Sequence, residues 1–334
     1  MMKKILIPVM LGMALLQGCK QEEVAKNQNK TALAGNSELS GAIMAEPNRY
    51  LLLAEQSQNR ISVVNATDGT FFWNWKAGVN NNVSAAHVSW FTNPSDAKRV
   101  YNGLYILATA SGGGVALIRQ SDKKAVFYAN PGGNPHSAEL LPDGNIVTAS
   151  STGGYLMIHK MDTLHHPSTA FTRKIIQEDA HNVVWDKTRQ RLWSASKNKL
   201  YAYSYNFSCT SPNLTLVKTI TLPAGNAHDL FPVYGQDSLW ISTSNKVWVV
   251  NLNTDAVTEV STLARIKSVS SGGAGYPTVV LQGLNATDWW NTKVINMDTG
   301  IAVFEGTGLK IYKARWKIMN AFSYPANDVF HFCN

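Results

Sequence analysis

Six basic side chains recur along this chain at intervals of 39 to 49 residues. The series is His87, His136, His181, His228, Lys267 and Arg315. It takes in four of the eight histidines of the sequence. Recurrent histidines can simply cap turns, but here positive character is kept while the side-chain type changes from His to Lys and Arg. That pattern favours a binding site for an anion, because Lys and Arg recognise carboxylate and sulfate groups.

The types of these side chains suggest different roles. Imidazole exchanges protons near neutral pH, so His136 and His181 are the candidate catalytic residues. The remaining members are candidate ligand-binding residues, with Arg315 able to clamp an acidic group through two hydrogen bonds. They are His87, His228, Lys267 and Arg315. We expect no cofactor and assign no metal ligand, although several imidazoles together could also hold a transition metal.

Each basic residue opens a unit of about 45 residues that repeats along the sequence. The segment 191–203 aligns with 238–250 at a constant shift of 47 residues, and the same shift carries His181 onto His228. A third copy begins at Asn134, and a fourth is assigned from Ala86 onward. Repetition at this length is typical of stacked structural units.

The pattern inside each unit predicts the fold. Short apolar or alternating runs are separated by Gly, Asn, Asp and Ser, which indicates strands joined by tight turns. Four strands in 40–50 residues describe one blade of a β-propeller. We therefore predict an all-β chain with a single six-bladed propeller of four-stranded antiparallel blades. The first strand of each blade lines the central axis, so the six basic residues should converge on one channel.

Closure of the ring is predicted from both ends of the repeat. The last unit opens at Ala314-Arg315-Trp316 and then runs short, whereas three strand-like runs near Tyr50, Arg60 and Thr70 lack an opening strand. Pairing these N- and C-terminal segments would complete a blade and remove a free sheet edge. Seven blades remain an alternative if 330–332 forms a further strand.

The N-terminus predicts export. Lys3 and Lys4 precede an apolar run from Ile5 to Leu16, which is too short for a membrane span of roughly 20 residues. The following Leu16-Gln17-Gly18-Cys19 resembles the bacterial lipobox, which implies acylation of Cys19. We expect a signal peptide at 1–18, a lipidated Cys19 with a flexible tether at 19–47, and a propeller at 48–334.

Further expectations about location come from the same segment and from the cysteines. Lys20 after the lipobox implies the outer membrane, with exposure at the cell surface as an open alternative. Membrane contact would be through the lipid alone. With Cys19 acylated, Cys209 and Cys333 remain, and the sequence does not decide whether they form a disulfide.

Composition narrows the partners. Hydrophobic residues make up 45% and charged residues 16% of the chain, which suits a β-rich exported protein with a large core. Removal of residues 1–18 leaves 28 basic and 22 acidic residues, a balance that suits an anionic ligand. No sequence motif of a serine hydrolase, zinc protease or nucleotide-binding loop is present, and no nucleic-acid patch is expected. We expect a monomer.

Three segments carry a resemblance to known families. The stretches 134–145, 181–193 and 313–316 are similar to secreted bacterial propellers of unassigned function with a quinoprotein-like fold. A looser resemblance is to propeller polysaccharide lyases that act on uronate glycans such as ulvan and oligogalacturonate. It implies that Arg315 neutralises a uronate carboxylate while His136 or His181 removes the C5 proton before β-elimination. The alternatives are a non-catalytic scaffold that binds a glycan or protein and, third, a metal-dependent oxidoreductase.

Overall fold

The computed structural model describes residues 48–326. The predicted signal peptide, Cys19 and all but the last residues before the first strand lie outside this range, as do 330–332 and Cys333. The described chain is almost entirely β-structure, with 24 strands and three short 3₁₀ helices. The helices are Val79–Asn81, Ala85–Phe91 and Tyr101–Gly103.

The strands form six four-stranded antiparallel sheets, as predicted for a six-bladed propeller. From the inner strand outward, the first three blades are β24 (Ile311–Trp316), β1 (Tyr50–Glu55), β2 (Arg60–Asn65), β3 (Phe71–Trp75); β4 (Pro94–Val100), β5 (Tyr105–Ala110), β6 (Val115–Arg119), β7 (Ala125–Ala129); and β8 (Pro135–Leu140), β9 (Ile146–Ser150), β10 (Tyr155–His159), β11 (Thr172–Ile176). The other three are β12 (Val184–Asp186), β13 (Arg191–Ser196), β14 (Lys199–Tyr205), β15 (Leu214–Thr221); β16 (Asp229–Pro232), β17 (Ser238–Ser242), β18 (Val247–Asn251), β19 (Val257–Ser261); and β20 (Ile266–Ser270), β21 (Val279–Gln282), β22 (Lys293–Asn296), β23 (Ala302–Glu305).

Strand β24, the last strand of the described residues, closes the ring, as the incomplete last unit predicts. In blade 1, β24 pairs antiparallel with β1, placing Leu51 opposite Trp316 and Leu53 opposite Ala314. The inner strands of neighbouring blades also contact one another around the axis. The pairing with β24 thus occupies the inner edge of β1 and completes blade 1.

Apolar side chains between adjacent blades form the core. Trp73 and Trp75 of blade 1, for example, pack in one cluster with Phe91 and Tyr128 of blade 2. Such packing fixes the blades relative to the axis, so inner-strand side chains are held on a rigid frame.

Two further observations concern the membrane and the cysteines. Within residues 48–326, no helix has the length and apolar character required to cross a membrane. Cys209 is disulfide-bonded, whereas Cys333 lies outside the described residues.

Candidate functional site

A recurrent local conformation precedes the inner strand in five of the blades. A residue with positive φ of 52° to 60° is followed by a buried apolar residue, and the next residue opens the channel wall. The three-residue segments are Asn93-Pro94-Ser95, Asn134-Pro135-His136, Asp179-Ala180-His181, Asn226-Ala227-His228 and Arg265-Ile266-Lys267. Asn and Asp tolerate the left-handed region better than most residues, which accounts for four of the five.

A β-bulge sets the direction of the opening side chain. Strand pairing skips one residue in four blades, namely Ser95, His136, Lys267 and Tyr312. A bulge leaves its extra residue outside the ladder and re-aims the side chain. In blade 1, Gln56 N donates to Lys310 O as Ser111 N donates to Asn93 O in blade 2, so Tyr312 is the opener of blade 1.

The assignment of His87 as the opener of blade 2 is therefore wrong. His87 lies in the 3₁₀ helix before β4, where its ring stacks on Trp90 at 3.9 Å and its Nδ1 lies 3.1 Å from Tyr128 Oη. The true opener is Ser95, whose buried hydroxyl donates to Pro135 O at 2.6 Å. The shared Asn-Pro of 93–94 and 134–135 carried this register in the sequence.

Three predicted imidazoles do converge. The ring centroids of His136 and His181 are 5.0 Å apart, those of His181 and His228 are 4.7 Å apart, and those of His136 and His228 are 6.5 Å apart. The Tyr312 ring lies 5.7 Å from that of His136. Sequence reasoning missed Tyr312, because the residue two positions before it is Lys310 rather than Asn or Asp.

Lys267 and Tyr312 complete the cluster around His228. Lys267 Nζ lies 2.9 Å and Tyr312 Oη 3.4 Å from His228 Nε2. A charged ammonium has only donors, so His228 accepts through Nε2. We call the five side chains His136, His181, His228, Lys267 and Tyr312 the upper mouth. Four of them, all but His181, line a cavity of about 300 Å³.

Burial at the upper mouth favours the neutral forms of His136 and His228. Burial, together with the nearby His181, Lys313 and Lys267, holds the pKa of His136 well below its usual range. The pKa of His228 is lowered by burial and by His181 and Lys267. Burial and the charges of Lys313 and Arg265 lower the pKa of Lys267 to about 8. A bound anion would favour the protonated, charged forms of these three side chains.

Two atoms at this cavity have no hydrogen-bond partner within residues 48–326. They are the buried His136 Nδ1 and Asn134 Oδ1. Because unpaired buried polar atoms are costly, a ligand that pairs with them gains affinity. His181 differs, since its Nδ1 lies 3.1 Å from Asp179 Oδ1. This contact orients the ring as a carboxylate orients a catalytic imidazole.

Arg315 does not lie at the upper mouth, so its predicted role as a clamp for an external anion is wrong. Its guanidinium is 2% exposed and lies 2.9 Å from Asp229 Oδ1 and 3.1 Å from Asp96 Oδ1. Lys313 Nζ lies 3.2 Å from the same Asp229 oxygen. Although burial alone would raise it, the pKa of Asp96 is lowered by Arg315 and Lys313. Arg315 therefore neutralises buried carboxylates inside the channel.

A second ion pair lies deeper. Lys98 Nζ is 2.9 Å from Glu139 Oε2, and Tyr324 donates its hydroxyl to Glu139. The ring centroids of Tyr324 and Tyr101 are 4.7 Å apart. Lys187 Nζ donates to the backbone carbonyl of Tyr324 at 3.2 Å. The segment after β24 thereby covers the lower end of the channel.

A larger cavity of about 580 Å³ lies at the carboxyl ends of the inner strands, away from the imidazoles. Phe231, Tyr234, Trp316 and Ile318 contribute to its wall. It holds no cluster of titratable groups among the described residues, so we place the chemistry at the smaller upper mouth.

The sequence leaves open whether the recurrent imidazoles could together hold a transition metal. Among residues 48–326, no three His, Cys, Asp or Glu side chains are arranged to hold a metal ion. The imidazoles of the upper mouth instead share their surroundings with the cation of Lys267.

Comparisons with known proteins agree with the fold. A crystal structure of a protein of unknown function from Bacteroides caccae is similar, with a TM-score of 0.56 and 14% sequence identity over 81% of this chain and 99% of that one. No curated protein matches the sequence. A model of a family of unknown function, DUF6528, matches residues 1–333. The chain thus belongs to the DUF6528 family of unknown function.

Proposed function

We propose that the upper mouth binds the acidic group of an anionic glycan and that Lys267 recognises its charge. The observation that carries this proposal is the distribution of ion pairs. Lys98, Lys313 and Arg315 each have a carboxylate partner, whereas no carboxylate of residues 48–326 lies within ion-pair distance of Lys267. A carboxylate or sulfate would supply the missing partner.

The surroundings of Lys267 suit a sugar. Asn134, Ser111 and Gln56 offer amide and hydroxyl groups at the cavity wall, and Trp289 offers an aromatic face. The cavity volume of about 300 Å³ is at the small end of ligand sites, so it suits one sugar unit rather than a long chain segment.

Calorimetric titration of the full chain with galacturonate, galactose 6-sulfate and galactose tests the proposal. We expect the acidic sugars to bind and galactose not to bind detectably. Lys267→Met should weaken the acidic ligand at least about tenfold, since a charged hydrogen bond contributes roughly 1.5–3 kcal/mol. The exposed Lys199→Met is the matched control. Equal affinity for galactose and galacturonate would exclude charge recognition.

A second candidate, β-elimination at a bound uronate, is favoured by the Asp179–His181 contact. Lys267 would neutralise the carboxylate and acidify the C5 proton, which His181 Nε2 would take. The electron pair forms the C4=C5 double bond, the C4–O4 bond breaks, and the leaving oxygen takes a proton from water.

Ultraviolet absorbance of the unsaturated product measures this reaction. Turnover of oligogalacturonate that disappears in His181→Ala but persists in His165→Ala would support it, since His165 is exposed and its ring contacts Asp162 rather than the upper mouth. Binding without turnover would instead support a non-catalytic glycan scaffold.

We further propose that acylated Cys19 anchors the propeller at the outer membrane. Fatty-acid labelling of wild type and of Cys19→Ser tests the acylation.

A further inference from the structure

A second cavity adjoins the upper mouth. It has a volume of about 450 Å³ and shares Lys267, His228 and Trp289 with the mouth cavity. The remainder of its wall is largely polar and comes from blades 4, 5 and 6, with Asp179 and His181 contributed by blade 4. These wall residues include Asn226, Ser244, Asn245, Arg265 and Asn285. The two cavities thus form one groove with Lys267 near its middle.

Trp289 stands where the two cavities meet. Its side chain is 51% exposed, and its Nε1 donates to Gln56 Oε1 at 3.2 Å. That hydrogen bond fixes the edge of the indole and leaves ring surface open to the groove. An exposed, anchored aromatic ring can stack on the apolar face of a sugar.

Arg265 occupies a position at which four other blades have Asn or Asp and blade 1 has Lys310. Its φ of +60° is left-handed, and a long side chain there is unfavourable. The equivalent residues with positive φ are Asn93, Asn134, Asp179 and Asn226. Arginine at this position therefore destabilises the local backbone relative to Asn, and the turn itself gives no reason for choosing it.

A hydrogen bond to the backbone holds the guanidinium of Arg265 in place. Its Nε donates to Gly283 O at 3.2 Å, and no carboxylate of residues 48–326 lies within ion-pair distance of it. Arg265 precedes Lys267 by two residues, and both side chains line the second cavity. Burial is the main cause of the lowered pKa of Lys267, and the charges of Lys313 and Arg265 lower it further. Two neighbouring cations on one groove, each without a carboxylate partner among residues 48–326, fit a ligand with two acidic groups.

We propose that the second cavity is a subsite for the next sugar unit, so that the ligand is an acidic oligosaccharide of at least two units. One acidic group pairs with Lys267 and the next with Arg265, while Trp289 stacks between the subsites. This inference rests on the proposed binding of an acidic sugar at the upper mouth and extends it to the ligand's length and charge spacing.

Titrations of the full chain with galacturonate and digalacturonate test the subsite. We expect wild type to bind the disaccharide at least about tenfold more tightly than the monosaccharide, a difference of about 1.4 kcal/mol. Arg265→Asn should abolish that gain and leave galacturonate affinity unchanged, because Asn is the residue that blades 2, 3 and 5 have at this position. Lys197→Asn removes a cation at another left-handed position and is the matched control.

The outcomes separate the two proposals. If galacturonate binds in a Lys267-dependent way but the disaccharide gains nothing, the subsite is overturned and the upper-mouth proposal survives. The subsite also fails if Arg265→Asn weakens both sugars equally. If wild type binds neither sugar, the upper-mouth proposal falls and the subsite falls with it.

Discussion

Asp96 and Asp229 determine what the cations of the channel can do. Both carboxylates are buried, and together they bind the guanidinium of Arg315 through four hydrogen bonds. A guanidinium held in this way is not available to an external ligand, because moving it would leave two buried carboxylates without their partner. Lys267 has no such partner among the described residues and so remains available at the upper mouth.

Stability measurements on Arg315→Met check this division of roles. Removing the guanidinium leaves Asp96 and Asp229 facing each other with Lys313 alone, so we expect a loss of about 3–5 kcal/mol in the free energy of unfolding. Lys267→Met should not lower that free energy, since it removes a cation whose charged form burial disfavours. Denaturant unfolding measures both changes.

Asp229→Asn provides the control for Arg315→Met. Combined in one chain, the two changes should cost less than the sum of their separate effects, because Asp229 and Arg315 interact directly. An Arg315→Met chain as stable as wild type, with anion binding lost, would restore Arg315 as the ligand clamp.

At the scale of the strand, the start of each inner strand decides which side chains face the mouth. A left-handed residue turns the chain, an apolar residue is buried, and a bulge re-aims the next side chain. This arrangement explains why His136, His181 and His228 meet although 45 and 47 residues separate them along the chain.

The same arrangement explains which features could be predicted from the sequence and which could not. Blade number and closure could be predicted because turn residues and apolar runs repeat at a regular spacing. The openers of blades 1 and 2 could not be found by matching histidines, because bulges shift the register by one residue and Tyr312 follows no Asn or Asp signal. The Ala86-His87 pair resembles the Ala-His pairs of blades 4 and 5 and predicts the wrong opener, whereas the Asn-Pro match between 93–94 and 134–135 indicates Ser95.

The partners of Arg315 lay beyond sequence reasoning for a different reason. Asp96 is 219 residues and Asp229 is 86 residues away from it in the chain. Their contact exists only once all six blades surround the axis, so no local pattern records it. The pairing of the channel's charges is a property of the closed ring.

For the molecule as a whole, burial of neutral histidines couples folding to pH. The pKa values of His136 and His228 lie well below the usual range, and burial lowers the pKa of His159 to about 4. In the unfolded chain these groups take up protons near pH 6.5. Because the unfolded state then binds more protons than the folded state, stability is highest above about pH 6.5 and falls as the pH decreases toward the folded-state pKa values.

Unfolding free energies at a series of pH values between 7.5 and 5 measure this coupling. Below pH 6.5, each of the three histidines should make the free energy of unfolding fall by up to about 1.4 kcal/mol for each unit of pH. His159→Leu, beside Thr148 and Phe127 rather than at the mouth, should remove about one third of the slope. The exposed His165→Gln is the control and should leave it unchanged. Stability that stays flat over this range, or a His159→Leu slope equal to that of wild type, would mean that the folded protein accommodates charged imidazoles after all.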